Sequence, residues 1–152
     1  MKDIKRLVIN IIIPLGLGTL SGLLSSSMNG LDGINQPAFA PAPILFPIIW
    51  TILYTLMGVS AYLIKKTNNE KKEKALKTYY ISLVINLLWS FIFFKFQLFL
   101  LSALWIILLL YFVIKMTIEY FKIKKIASYL QFPYILWLIF ALILNISIYL
   151  LN

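Results

Sequence analysis

The sequence contains no cysteine and no histidine. Without cysteine, the chain cannot form a disulfide, a thiolate metal site or a cysteine nucleophile, and its redox compartment cannot be inferred. Without histidine, it cannot offer imidazole to zinc or haem, or use histidine as a general base. The residue inventory therefore predicts no metal site of these kinds.

Acidic residues are also scarce, with 5 Asp and Glu against 14 Lys and Arg. All of them fall in connections or at the ends of apolar segments, so no general acid and base pair is available inside a membrane. We therefore predict no catalytic residue and no bound cofactor. The acidic residues are Asp3, Asp32, Glu70, Glu73 and Glu119.

Apolar residues dominate, since 62% of the 152 residues are hydrophobic and 12% are charged. A soluble domain of this size could not bury so much apolar surface. A helix needs about 20 apolar residues to cross a membrane, and a transmembrane barrel would instead show alternating segments. We predict an all-α membrane protein, one domain over residues 1–152, with five spans. The predicted spans are Leu7–Leu24, Ile44–Ile64, Leu76–Phe96, Leu98–Ile118 and Phe132–Leu151.

The basic residues indicate how these spans are oriented. The segments at one end of the predicted bundle carry 13 basic residues, and those at the other end carry a single one, Lys95. The positive-inside rule then places the N-terminus inside and the C-terminus outside. As a separate expectation, the localisation is that of a multi-pass protein of a bacterial plasma membrane. The net charge of +9 is thereby explained without a nucleic-acid partner. A cleaved signal peptide over Met1–Ser27 is the alternative, but its apolar run is long and no A-x-A site follows.

The connection Lys65–Lys77 holds six of the basic residues. Lysines beside a charged leaflet attract anionic lipid. The other interpretation is a solvated loop that only sets topology, and composition favours this second interpretation.

Small residues recur at helical spacing along the first span and include the pair Gly18 and Gly22. Such a stripe allows another backbone to approach closely. Packing within the chain is one interpretation, and a homodimer through Gly18 and Gly22 is the other. The stripe consists of Pro14, Gly18, Ser21, Gly22 and Ser25.

Three spans each carry a face that mixes aromatic, polar and small residues. Asn86 and Asn145 lie on two of these faces, and an amide in hydrocarbon needs a partner, so both are expected to point inward. They either bond to a neighbouring helix or orient a ligand in an aromatic cavity; for Asn145 the structural role is favoured. The inward residues are Trp50, Tyr54, Asn86, Trp89, Trp137, Ala141 and Asn145.

The connection Met28–Pro43 contains no basic residue and is stiffened by three prolines, Pro37, Pro41 and Pro43. A stiff connection could hold Phe39 over the mouth of a cavity. Phe39 is therefore a further candidate ligand contact.

Three runs of the sequence resemble the TspO/MBR family of tryptophan-rich sensory and translocator proteins. They are Gln36–Gly58, Asn86–Phe94 and Pro133–Asn145, followed by the closing Leu151-Asn152. The resemblance implies a five-helix bundle, often dimeric, with a pocket beneath the first connection. In the family this pocket binds porphyrins and, in some members, sterols or benzodiazepine-site drugs. Carried over to this chain, its positions are Trp50, Tyr54, Asn86, Trp89, Trp137 and Ala141.

The chain departs from the family pattern at Gly30-Leu31, where many bacterial members have a Trp-Tyr pair, and at Pro41-Ala-Pro43. The function that the resemblance implies is a receptor for a porphyrin or a similar flat apolar ligand, and facilitated transport of that ligand across the membrane is compatible with it. Light- and oxygen-dependent degradation of porphyrin is an alternative. A structural or regulatory membrane partner without a ligand is another.

Overall fold

The computed structural model describes residues 1–25 and 29–152, which form helices and turns with no strand among them. Met28, the first residue of the predicted outer connection, and Ser26 and Ser27, the end of the alternative signal peptide, lie outside the described residues. Within these described ranges, five helical units are long and apolar enough to span a membrane. The prediction of an all-α membrane protein with five spans is confirmed. The helices are α1 (Lys2–Leu24), α2 (Leu45–Lys65), α3 (Lys72–Ser90), α4 (Phe99–Ile123), the short α5 (Lys125–Tyr129) and α6 (Phe132–Leu151).

Several helices extend beyond the apolar segments that predicted them. Helix α1 begins at Lys2, α3 begins at Lys72, and α4 ends at Ile123. Apolar content marks only the length that crosses hydrocarbon, whereas Lys and Glu are good helix formers and let the backbone continue into the polar region. The short helix α5 was not predicted, and it follows an extended backbone at Lys124.

Helix α3 ends in a π-helical turn over Phe91–Lys95. The wider turn shows in the hydrogen bond of 2.9 Å from the amide of Phe96 to the carbonyl of Phe91. Gln97 then adopts a left-handed backbone with φ of 52° before α4 begins. Turns of this kind are found in helices near functional sites.

The bundle is arranged so that α1 packs on α2, α3 packs on α4, and α4 packs on α6. The backbones of α1 and α2 approach each other closely at Gly58. A Cβ atom placed on Gly58 would overlap the carbonyl oxygen of Asn10 and lie 2.5 Å from the Cα atom of Ile11. The absence of a side chain at this position therefore sets the distance between the two helices.

The interior consists of two clusters of buried apolar side chains. Trp50, Trp105 and Trp137 contact both clusters and so connect them. On the outside, large apolar residues such as Val84, Ile107 and Ile143 are exposed. A surface of this kind suits a protein whose surroundings are lipid.

The orientation of the bundle remains a prediction, and the chain is suited to testing it because it has no native cysteine. We expect Ala38→Cys to react with a membrane-impermeant maleimide on intact cells. Lys74→Cys should react only after the membrane is permeabilised. Both positions are exposed, so accessibility within the protein does not limit either reaction. The reverse labelling pattern would show that the N-terminus is outside.

Candidate ligand-binding site

A cavity of about 340 Å³ lies between α1 and α2, in the half of the bundle away from the Lys65–Lys77 connection. Thr19, Pro47 and Thr51 are exposed at its rim. The mouth therefore opens through the side of the bundle, where the bilayer would be. The lining residues are Leu15, Gly18, Thr19, Gly22, Leu23, Asn29, Phe46, Pro47, Trp50, Thr51, Tyr54, Ser90 and Phe94.

Trp50 is the centre of the aromatic wall of this cavity. It stacks on Tyr54 with ring centroids 5.4 Å apart, and Trp89 of α3 lies 6.2 Å away. From α6, Tyr134 and Trp137 present their rings at steep angles, at 6.2 and 6.5 Å. Because offset-stacked and edge-to-face geometries are the favourable ones, this cluster holds Trp50 in place from three helices.

A second layer of rings lies nearer the end of the bundle that carries the connection between α1 and α2. Phe46 contacts Phe94 at 6.1 Å and Trp137 at 6.0 Å, both edge to face. Phe93 stacks on Trp89 with centroids 5.0 Å apart. Since Phe93 and Phe94 both belong to the π-helical turn, this turn brings α3 into the aromatic wall.

Behind the wall, Asn86 connects two tyrosines of different helices. The Tyr54 hydroxyl donates to Asn86 Oδ1 at 3.0 Å, and Asn86 Nδ2 donates to the Tyr134 hydroxyl. Asn86 is only 1% exposed, so these bonds satisfy an amide that would otherwise be costly in an apolar interior. The network also fixes the ring of Tyr54, which lines the cavity.

Asn145 has a different partner set and does not reach the cavity. Its Oδ1 accepts from the Ser102 hydroxyl at 2.7 Å and from Trp89 Nε1 at 3.4 Å. Its Nδ2 is buried and has no partner among the described residues. These contacts give Asn145 a structural role, because they position the indole of Trp89 against Trp50.

The predicted ligand contacts thus occupy three kinds of position. Trp50 and Tyr54 line the cavity. Asn86, Trp89 and Trp137 form the layer behind them. Three predicted contacts remain, and none of them lines the cavity. They are Asn145, Ala141, which is buried in the cluster that contains Phe46 and Trp89, and Phe39, whose ring lies edge to face with Phe140 at 6.2 Å.

The contribution of α1 to the lining was not among the predicted contacts. Gly18 faces α2, where a Cβ atom would overlap the ring of Tyr54. Ser21, on the same stripe, donates to the carbonyl of Leu87 on α3 at 2.7 Å. The small-residue stripe thus has neighbours within the chain, and the homodimer stays a prediction. Gly18 and Gly22 both line the cavity, so their helical spacing could have indicated that α1 contributes to the lining.

Hydrogen bonds hold the connection between α1 and α2 at two points. Asn152, the last residue, accepts at Oδ1 from the amide of Asn35 at 3.1 Å and donates from Nδ2 to its carbonyl at 2.9 Å. Gln97 Nε2 donates to the carbonyl of Gly30 at 2.7 Å. Leu31 packs against the cluster of buried side chains that contains Phe46 and Trp89. These contacts fix the connection to the end of α6 and to the segment between α3 and α4.

The fold and the cavity together define a class, that of multi-pass helical membrane proteins with an aromatic cavity open towards the bilayer. The model of the TspO/MBR family matches residues 10–151. The chain belongs to the TspO/MBR family.

Individual relatives agree with this assignment. The chain is 35% identical to a tryptophan-rich protein TspO of Archaeoglobus fulgidus over 99% of both chains. It is also 35% identical to a tryptophan-rich protein TspO of Chlorobaculum tepidum, over 77% of this chain and 75% of the relative. The human translocator protein is 28% identical over 77% of this chain and 71% of its own length. The protein is therefore an integral membrane protein, and its archaeal and bacterial relatives indicate a plasma membrane.

Proposed function

We propose that this protein is a membrane receptor for a flat hydrophobic ligand of the porphyrin class, bound in the cavity between α1 and α2. The observation that carries the proposal is the position of Trp50 and Tyr54, which are stacked on each other and form one wall of an apolar cavity. Flat aromatic faces suit a macrocycle, because offset stacking adds to the burial of apolar surface.

The opening of the cavity also supports the proposal, and its volume means that part of the ligand stays outside it. About 340 Å³ lies at the lower end of the range for small-molecule sites. A porphyrin that entered from the side would place one edge against Trp50 and leave the other at the rim beside Thr51. Its polar substituents would then remain near the mouth instead of being forced into the interior.

An unpaired donor next to Trp50 is a second supporting observation. Trp137 Nε1 is buried and has no acceptor among the described residues. Trp137 lies behind Trp50 and does not line the cavity, so a ligand oxygen or nitrogen would recover the cost of this unpaired donor only once the Trp50 ring moves aside. Trp137 is therefore proposed to act behind Trp50, as Asn86 acts behind Tyr54.

The proposal is tested by titrating the purified protein in nanodiscs with protoporphyrin IX and following the Soret absorbance of the porphyrin. We expect saturable binding that Thr51→Phe weakens at least about tenfold, because the larger side chain fills the rim. Ile52→Phe is the matched control, since Ile52 is exposed on the same helix but does not line the cavity.

A Trp50→Ala, Trp137→Ala double variant should also bind at least about tenfold more weakly. Wild-type affinity in both Thr51→Phe and the double variant would exclude this cavity as the site. No saturable binding to the wild-type protein would exclude porphyrin as the ligand.

A further inference from the structure

A second and larger cavity, of about 860 Å³, lies at the end of the bundle that carries the Lys65–Lys77 connection. It is an open groove along one side of α3, and the end of α2 contributes Lys65. Its lining changes from charged to apolar along the helix. The lining residues are Lys65, Lys72, Glu73, Leu76, Lys77, Tyr80, Ile81, Val84 and Ile85.

The charged part of the groove is built from three lysines of two helices. Lys65 Nζ donates to Asn10 Oδ1 at 2.7 Å and lies 5.4 Å from the centre of the Tyr80 ring. Lys72 Nζ donates to the carbonyl of Thr67 at 2.9 Å. Among the described residues, neither these two nor Lys77 forms a salt bridge. Glu73 is the single acid in the lining, so the groove keeps a net positive charge.

The apolar part follows directly on the same side of α3. Tyr80, Ile81 and Val84 are exposed, and Val84 lies seven residues after Lys77. At 1.5 Å per residue this is about 10 Å along the helix. An ammonium cluster followed by about 10 Å of apolar surface has the dimensions of a phospholipid, with a headgroup and the upper part of an acyl chain.

We infer that this groove binds one anionic phospholipid of the leaflet at the basic end. The lipid phosphate contacts Lys65, Lys72 and Lys77, and an acyl chain lies along Ile81 and Val84. A zwitterionic lipid fits less well, because its headgroup brings no net negative charge to the lysines. This site shares no lining residue with the cavity beside Trp50, and it does not depend on the proposed porphyrin ligand.

Native mass spectrometry of the purified protein with added lipid tests the inference. We expect phosphatidylglycerol to form a one-to-one adduct in preference to phosphatidylcholine of the same acyl chains. The Lys72→Gln, Lys77→Gln pair should weaken this adduct about tenfold or more, because each lysine adds to the attraction. The control pair is Lys71→Gln, Lys74→Gln, which removes the same charge from the same segment outside the groove.

Lys72 also donates hydrogen bonds to the end of α2 and to the connection that follows, so its loss could disturb the fold. The single variant Lys77→Gln avoids this effect, and it should weaken the adduct at least about threefold. Val84→Trp should also weaken it, whereas Ile107→Trp on α4 should not. Equal loss in the two lysine pairs, or no preference for phosphatidylglycerol, would overturn the inference. Full competition by soluble glycerol phosphate, or an unchanged adduct in Val84→Trp, would also overturn it, because the acyl chain would then have no role.

Discussion

Gly58→Ala is expected to lower the free energy of unfolding by about 1–3 kcal/mol, the usual cost of forcing an extra carbon into a packed interior. The new methyl group would overlap the carbonyl oxygen of Asn10 and approach the Cα atom of Ile11. Both are backbone atoms of α1, so no side-chain rotation can relieve the overlap. The two helices must move apart instead.

A matched control for this prediction exists in the same bundle. Among the described residues, no atom beyond the neighbouring α1 backbone lies within 4 Å of the position that a methyl group on Gly16 would take. Gly16→Ala should therefore leave stability unchanged or raise it slightly, because alanine has the higher helix propensity. Thermal unfolding of both variants in one detergent gives the comparison. Equal melting temperatures would show that α1 and α2 do not pack at Gly58.

Asn86→Leu is expected to produce a loss of similar size by a different mechanism. It leaves the hydroxyls of Tyr54 and Tyr134 without their common partner, and an unsatisfied buried polar group costs about 1–3 kcal/mol. Both tyrosines are buried, at 5% and 2% exposure, so water cannot easily replace the amide. The melting temperature in detergent should fall by several degrees.

The sign of the coupling distinguishes a network from three independent contacts. Tyr54→Phe and Tyr134→Phe each remove one hydroxyl and leave part of the Asn86 amide unpaired. The triple variant, Asn86→Leu with Tyr54→Phe and Tyr134→Phe, removes all the polar groups together. Its loss of unfolding free energy should therefore be smaller than the sum of the losses in the three single variants. Strict additivity would contradict the network. Porphyrin binding by the triple variant would then show whether these polar groups also matter to the ligand.

Much of the fold follows from the sequence, because hydrocarbon imposes a simple condition on it. Each span must be apolar over about 20 residues, and this condition alone locates α2 and α6 to within one residue at each end. Helix ends outside the hydrocarbon are not under that condition. The starts of α1 and α3 were therefore missed by several residues.

The candidate site was predictable only in part, because regular helical spacing reveals only some of its residues. Trp50 and Tyr54 share a helical face with Gly58, and this spacing is visible in the sequence. The contribution of Phe94 is not visible in the sequence. It depends on the π-helical turn that follows α3, and regular helical spacing does not describe that turn. The role of α1 was ambiguous, since a stripe of small residues suits a second chain as well as a neighbouring helix.

The side opening between α1 and α2 has a consequence for how affinity should be expressed. A ligand that reaches Trp50 through this mouth comes from the bilayer, because the rim residues Thr19, Pro47 and Thr51 are exposed on the side of the bundle. The quantity that governs occupancy is then the mole fraction of ligand in the lipid. Dilution with empty vesicles at constant protein and ligand should release the ligand, even though its total concentration in the sample is unchanged.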